Sequence, residues 1–444
     1  MERPTRLADL PQAPKRPVVA IVGAGFGGLH VGLRLRDVAA DVVLVDRRNY
    51  HLFQPLLYQV ASAVLSPADI AQATRKIFRS YRNVRVVLGE VESVSLGSRT
   101  LTVSGASLHY DYLVLAAGAT HSYFGHDEWA THAPGLKTVE DALEIRRRIL
   151  LTFEAAELEG DDEARRQLLT FVIVGGGPTG VELAGALKEI ATRTVLPDFR
   201  AVDTSTTRVI LVEGQSRVLP GMSERASVLA LRDLRAAGVE VRLGSFVTAL
   251  DETSVYVGEE RIDAANVFWA AGVRASKLGE SLGVELDRAG RVLVEPDCSI
   301  PGYPESFAIG DMAALSDTAT GRPIPGVAQA AMQMGDYVGD QIRREVSRDR
   351  GPAAMHHLRP PFRYKDKGSM ATIGRAAAVA DISGRTLGGL LAWLIWCFVH
   401  VMFLIDFRNR LSVMLSWAYN YLAFSKGARL ITGPATPRLK QPRT

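Results

Sequence analysis

Cysteine is almost missing from this 444-residue chain: it has two, Cys298 and Cys397, far apart and with no Cys-x-x-Cys pair. That excludes a disulfide framework, an iron–sulfur site and a dithiol redox centre, and it fits a reducing compartment. No metal site is expected. Charge of one sign is also scarce. Lys and Arg number 52 against 48 Asp and Glu, a net charge of +4 that is too small and dispersed for a nucleic-acid partner. Met1 to Arg16 is polar and proline-punctuated, without the apolar stretch of a secretion signal, and is expected to be a loose tail.

What is present is glycine in two matched places. Gly23-Ala24-Gly25-Phe26-Gly27-Gly28 and Gly175-Gly176-Gly177-Pro178-Thr179-Gly180 each follow a short apolar run, Pro17–Val22 and Phe171–Val174. Such runs read as buried parallel strands. In each unit the first glycine makes the strand-to-helix turn, the second lets backbone approach a pyrophosphate, and the third lets helix and strand pack closely. The pyrophosphate then rests on the positive end of a helix. A second strand should end in an acid that holds a ribose hydroxyl, roughly 20 residues on. Val42–Val45 ending in Asp46 fits the first unit. Val209–Val212 ending in Glu213 fits the second, with the stretch Ala191–Thr207, which carries no recognisable signal, inserted between.

Two further phrases match between the halves. Asp111–Ala119 contains Ala117-Gly118, and Asn266–Val273 contains Ala271-Gly272. Each is a strand ending in small residues, as needed where backbone lies flat against a nucleotide or ring; a packed strand end is the plainer alternative. The composition, 47% hydrophobic and 23% charged, suits a globular protein of two to three domains. The predicted fold is α/β: two Rossmann-like dinucleotide-binding domains, the second inserted in the first, plus a C-terminal membrane-attachment region with amphipathic helices. The expected bounds are a tail over 1–16, a first domain over 17–125 and 274–345, a second over 126–273, an attachment or dimerisation region over 346–432, and a basic tail over 433–444.

Ser306–Ile309 is another short strand, and it runs into Gly310-Asp311. At that point the chain resembles the two-dinucleotide-binding-domain flavoproteins, in which such a Gly-Asp returns to the first domain and the Asp bonds the flavin's ribityl chain. The resemblance implies FAD in the first domain and NAD(P)H in the second. It assigns FAD to Gly23, Gly25, Phe26, Gly27, Gly28, Asp46, Arg47, Gln54, Val91, Ala117, Gly118, Gly310, Asp311, Ala328 and Gln329. NADH falls to Gly175, Gly177, Pro178, Thr179, Gly180, Glu182, Glu213, Ala271 and Gly272. An acid at 213 favours the free 2′-hydroxyl of NADH and repels the 2′-phosphate of NADPH.

The C-terminal hundred residues bear on the electron acceptor. Leu387 to Ile405 is 19 residues without a formal charge, close to the minimum for a spanning helix. Asp406–Arg410 interrupts it, and Leu411–Phe424 resumes with Trp417, Tyr419 and Tyr421. Beyond lie Lys426, Arg429, Arg438, Lys440 and Arg443, with no acid. Interfacial aromatics with a basic tail suit an in-plane helix on an anionic membrane. A buried helix at a homodimer interface and a transmembrane span are the competing readings.

Four phrases narrow the family: Tyr50–Ala61 (YHLFQPLLYQVA), Pro325–Gly335 (PGVAQAAMQMG), Tyr364–Gly374 (YKDKGSMATIG) and Leu404–Asn409 (LIDFRN). Together they resemble the type II NADH:quinone oxidoreductases, single-subunit dehydrogenases that pump no protons. The resemblance runs from about Pro17 to about Thr432. It implies a respiratory flavoenzyme, peripheral on the cytoplasmic face of the cell inner membrane, that passes two electrons from NADH through FAD to menaquinone or ubiquinone.

Within the second phrase, Gly326 can let a helix N-terminus approach the flavin, and Gln329 and Gln333 share one helix face beside small alanines. That leaves a slot for a flat acceptor and amide donors for its carbonyls; two solvated glutamines are the alternative. Family analogy adds Lys365 near the quinone path, where it and Lys367 otherwise read as exposed lysines. Glu182, just after Gly180, is expected either to serve the nicotinamide end or simply to favour the helix dipole. His51, Gln54 and Pro55 are expected to shape the flavin or acceptor pocket. A soluble reductase of a small redox protein and a non-catalytic NADH-sensing flavoprotein remain as alternative functions.

Overall fold

Val18–Val22 is buried at all five positions, as a run of β-branched residues without polar alternation requires when both sheet faces are covered. The computed structural model describes residues 16–348, 351–423 and 428–432. The expected tails and Lys426 therefore lie outside the described residues, apart from Arg16. The chain divides into two units. The first comprises Met1–His51, Gln72–Thr120 and Val273–Asp366; the second comprises Leu52–Ala71, His121–Gly272 and Lys367–Thr444.

In the first unit Val18–Val22 lies between Asp41–Asp46 and Tyr112–Leu115, parallel to both. Val84–Leu88 and Tyr303–Ala308 extend the sheet on either side, again in parallel, and Ser299–Ile300 closes one edge antiparallel. Helix Phe26–Arg34 crosses helix Ala328–Ser347 at close range: a Cβ on Gly335 would stand 2.4 Å from the Gly27 carbonyl oxygen. Asp336 ties the crossing by accepting from His30 and Arg34 at 3.1 and 2.7 Å. Beyond the helix end, buried Arg359 pairs with Glu345 at 2.7 Å and Asp297 at 3.0 Å. Both carboxylates are present to offset its desolvation.

The second unit repeats the plan. Thr170–Val174 runs parallel between Arg208–Glu213 and Asn266–Trp269, and Val239–Leu243 lies outside Arg208–Glu213. Helix Pro178–Glu189 follows the central strand. A meander of Val247–Leu250, Ser254–Val257 and Glu260–Asp263 covers a core of Tyr123, Trp129, Val172, Ile210 and Trp269. The stretch without a sequence signal is organised by Glu157, whose carboxylate accepts the N–H groups of Arg200, Ala201 and Val202 at 3.0 Å.

The C-terminal part of this unit is a sheet of Ser369–Gly374, Ala377–Ile382 and Arg385–Gly388, followed by helices Gly389–Phe403 and Phe407–Ala423. No helix among the described residues is long and apolar enough to cross a membrane. The 19-residue apolar run does not fold as one span. Its first residues complete a strand, and Asp406 at φ +77° separates the two helices. The 15-residue helix is roughly 22 Å long at 1.5 Å per residue, against about 30 Å of hydrocarbon. It is two-faced: Ala392, Trp396 and Val401 are buried, whereas Leu390, Leu391, Leu394, Phe398 and Met402 are exposed. Arg429, expected in a basic membrane-facing tail, instead forms an ion pair with Asp198.

Candidate functional site

The two glycine loops are built alike down to individual hydrogen bonds. In the first unit Gly23 turns at φ +101°, and its N–H donates to the Val45 carbonyl at 2.8 Å. The Asp46 carboxylate accepts the N–H of Ala24 at 2.6 Å and that of Arg48 at 2.7 Å. In the second, Gly175 turns at φ +110° and donates to Val212 at 2.7 Å. The Glu213 carboxylate accepts Gly176 at 2.5 Å and Gln215 at 2.7 Å. Each acid is thus held by the glycine turn on one side and by its own chain on the other, with lone pairs left for a ribose diol.

Both loops are shaped for a phosphate. A Cβ on Gly25 or Gly177 would meet nothing within 4 Å, so open space lies where a pyrophosphate needs backbone approach. Gly28 and Gly180 face the opposite demand, since a Cβ at either would fall 1.8 Å from the carbonyl oxygen of Gly23 or Gly175. Neither following helix has a side-chain N-cap. A helix start without a side-chain cap is the form that serves an anion. His51 braces the first loop: buried, it bonds the Ala24 carbonyl through Nδ1 at 2.9 Å, and burial lowers its pKa to about 4. Its ring stands edge-on to Phe26 at 5.2 Å.

Gly310, Asp311, Ala328 and Gln329 of the first-unit set gather at one helix start. Gly310 turns at φ +63°, and a Cβ on Gly326 would crowd Asp311 Oδ1 at 3.1 Å. The returning Gly-Asp and the entry to helix Ala328–Ser347 are therefore neighbours. The N–H of Ala117 donates to Met312 Sδ, and that of Gly310 to Met334 Sδ, both at 3.2 Å. Ala328 and Gln329 are half-buried at that helix start. Gln333 bonds the main chain of Lys365 reciprocally, Nε2 to its oxygen and Oε1 from its N–H, both at 2.9 Å. Its amide therefore fixes the Lys365 segment with its oxygen and one of its two N–H groups. Arg47 is exposed beside Asp46, and Val91 lies half-buried in strand Val91–Ser95. Gln54 belongs to the second unit, where its amide donates to the Lys137 carbonyl at 3.1 Å.

In the second unit Pro178 and Thr179 open the fingerprint helix, and Ala271-Gly272 follows Asn266–Trp269 with Gly272 at φ +69°. Glu182 is buried and faces a cavity of about 110 Å³ lined by Tyr58, Thr372, Trp393, Trp396 and Trp417, among others. Glu182 Oε1 accepts the Thr372 N–H at 3.4 Å, and burial pushes its carboxyl up to about 8. Tyr58 Oη lies 2.9 Å from Thr372 Oγ1; Gln59 donates to Tyr58 at 3.0 Å and accepts from Trp417 Nε1 at 2.7 Å. At neutral pH this carboxyl keeps its proton, so it is no anionic partner for the helix dipole. Sequence reasoning missed Tyr58 as a site residue, although it stands in one of the phrases used to recognise the family.

The pyridine nucleotide-disulphide oxidoreductase family model matches residues 17–335, and the NDH2 C-terminal domain model matches 367–424. The type II NADH:quinone oxidoreductase Ndh of Mycobacterium tuberculosis is 45% identical, over 97% of this chain and 94% of that protein. The type II NADH:quinone oxidoreductase NdhA of the same organism is 44% identical, over 93% and 89%. NDH2 from Plasmodium falciparum, solved in complex with NADH, has the same fold, with a TM-score of 0.85, 19% identity, and coverage of 94% of this chain and all of that one.

Proposed function

The chain belongs to the type II NADH:quinone oxidoreductases, and from that membership we propose how its residues divide the work of moving electrons from NADH to a membrane quinone. Its cofactor is FAD, which when bound accepts two electrons from NADH and passes them to the quinone without proton pumping. The NDH2 C-terminal match favours a quinone over a small redox protein as acceptor.

In this reading the first unit holds the flavin nucleotide. Gly23–Gly28 and the helix start at Phe26 take its pyrophosphate, Asp46 its ribose, and Asp311 its ribityl chain. The second unit holds NADH, with Gly175–Gly180 on the pyrophosphate and Glu213 on the adenosine ribose. Gln329 faces the quinone, and Gln333 positions the Lys365 segment beside it. Glu182 keeps a proton at neutral pH and lines the aromatic cavity of the second unit. The paired hydrogen bonding of Asp46 and Glu213 carries the assignment, because one ribose-holding acid per loop is what two dinucleotides need.

The exposed apolar faces of helices Gly389–Phe403 and Phe407–Ala423 support attachment in the plane of a membrane; that the membrane is anionic, that the face is the cytoplasmic one of the cell inner membrane and that the protein is a homodimer are further parts of the proposal. Anaerobic titration tests the core of the proposal. NADH should bleach the flavin absorbance of the purified protein at one equivalent, and menaquinone or ubiquinone should restore it. Bleaching without restoration by either quinone would overturn it.

A further inference from the structure

An exposed phenylalanine stands beside the acid that ends the second glycine loop. Phe246 is 68% exposed and sits in the turn between Val239–Leu243 and Val247–Leu250. Its ring rests on Gly214, the residue after Glu213: a Cβ on Gly214 would fall 2.5 Å from Phe246 Cε1. The turn is pinned there. The N–H of Gly244 donates to the Gln215 carbonyl at 2.8 Å, that of Ser245 to the Glu213 carbonyl at 3.0 Å, and Gly258 donates to the Phe246 carbonyl at 3.0 Å. An apolar ring is therefore held in water at a fixed place, over the peptide that adjoins the ribose acid.

We propose that Phe246 is the stacking platform for the adenine of NADH. The strand order supplies the direction. The pyrophosphate belongs at the loop after Thr170–Val174, the ribose at Glu213 on the adjoining strand, and the next strand outward is Val239–Leu243, whose end carries Phe246. A base one glycosidic bond beyond that ribose reaches the ring. The glycine fingerprint and its acid read phosphate and sugar but leave the base without a contact. An aromatic face supplies one that any purine satisfies. A ring already fixed in position loses little freedom on binding.

This inference rests on NADH occupying the second unit, and the experiment keeps the two apart. Holoenzyme carrying Phe246→Ala or Phe246→Trp is assayed with NADH, with reduced nicotinamide mononucleotide, which has no adenine, and with ADP-ribose as competitor. In Phe246→Ala the KM for NADH and the Ki of ADP-ribose should both rise about tenfold, equivalent to about 1.4 kcal/mol. The KM for the mononucleotide should move less than twofold, and Phe246→Trp should bring both raised constants back to within about twofold of wild type. Unchanged constants for NADH and ADP-ribose would overturn the proposal, as would an equal rise for the mononucleotide. If wild-type protein failed to oxidise NADH, the functional reading would fall instead, and calorimetric binding of ADP-ribose to the same variants would still decide the role of Phe246.

Discussion

Glu182 Oε1 accepts the backbone N–H of Thr372 at 3.4 Å inside an aromatic-lined cavity, and burial raises its pKa from 4.5 to about 8. The raised value makes this carboxyl a pH-dependent liability. Between about pH 4.5 and 8 the unfolded chain has released the proton and the folded chain still holds it. The unfolded state then binds fewer protons, so stability falls as pH rises through that window and levels off above it. Glu182→Gln removes the titration. Its denaturation midpoint should decline less from pH 5 to pH 8 than that of wild type, as read by urea unfolding at each pH.

Asp46 has to accept from two backbone donors at once, Ala24 and Arg48. An asparagine offers one oxygen, and its amide nitrogen would face a donor, leaving a buried N–H unpaired at a cost of about 1–3 kcal/mol. Asp46→Asn is expected to emerge from purification with well under one FAD per chain, and its FAD dissociation constant should rise at least about tenfold. The ratio of flavin to protein absorbance, before and after adding FAD, measures both.

Glu213 is expected to set the nucleotide preference by the same geometry. In the proposed site its charge would welcome a 2′-hydroxyl and repel a 2′-phosphate. Wild type should therefore show a higher kcat/KM with NADH than with NADPH, and Glu213→Gln should narrow that ratio by about tenfold, mostly through a raised KM for NADH. A wild-type preference for NADPH would contradict the role given to the acid.

These loops were legible in the sequence because their determinants are local. Glycine turn, helix start and acid all lie within one strand–helix–strand unit, and each glycine has a steric reason that spacing alone reveals. The cavity was not legible. Tyr58 meets Thr372 across 314 residues, and no periodicity in either segment announces the meeting. Gln333 shows the same limit: an i, i+4 pair of glutamines reads as two donors on one face, yet the partner of Gln333 is main chain 32 residues on. In the apolar C-terminus the break at Asp406 was legible, but the buried face of each helix was not. Hydropathy does not separate Trp396, which is buried, from Phe398, which is exposed, although they stand two residues apart.

Gly185 sets the contact between helix Pro178–Glu189 and strand Ser369–Gly374, because a Cβ there would fall 1.6 Å from the Ile373 carbonyl oxygen. Two backbones cannot keep that spacing around a methyl group. Gly185→Ala should lower Tm by several degrees, in line with an overpacking cost of about 1–3 kcal/mol. It should also loosen the neighbouring Thr372 from Glu182. Gly97→Ala, where the added Cβ meets nothing within 4 Å, is the control and should leave Tm nearly unchanged in the same calorimetric scan.

Leu391 and Phe398 are 57% and 68% exposed, on the face of helix Gly389–Phe403 opposite buried Trp396. Burying a large apolar side chain is worth about 1.5–3 kcal/mol, so a row of them exposed along one helix face is a strong drive toward lipid. A charge at either position would have to be desolvated on insertion. Leu391→Glu with Phe398→Glu touches no buried contact of the helix and should leave Tm and NADH oxidation with a water-soluble quinone close to wild type. Sedimentation with vesicles rich in anionic lipid should recover wild type in the pellet and the double variant in the supernatant. If the double variant still pelleted, this face would not be the attachment surface, and the exposed residues of helix Phe407–Ala423, Leu411, Met414 and Leu415, would be the next to carry the substitutions.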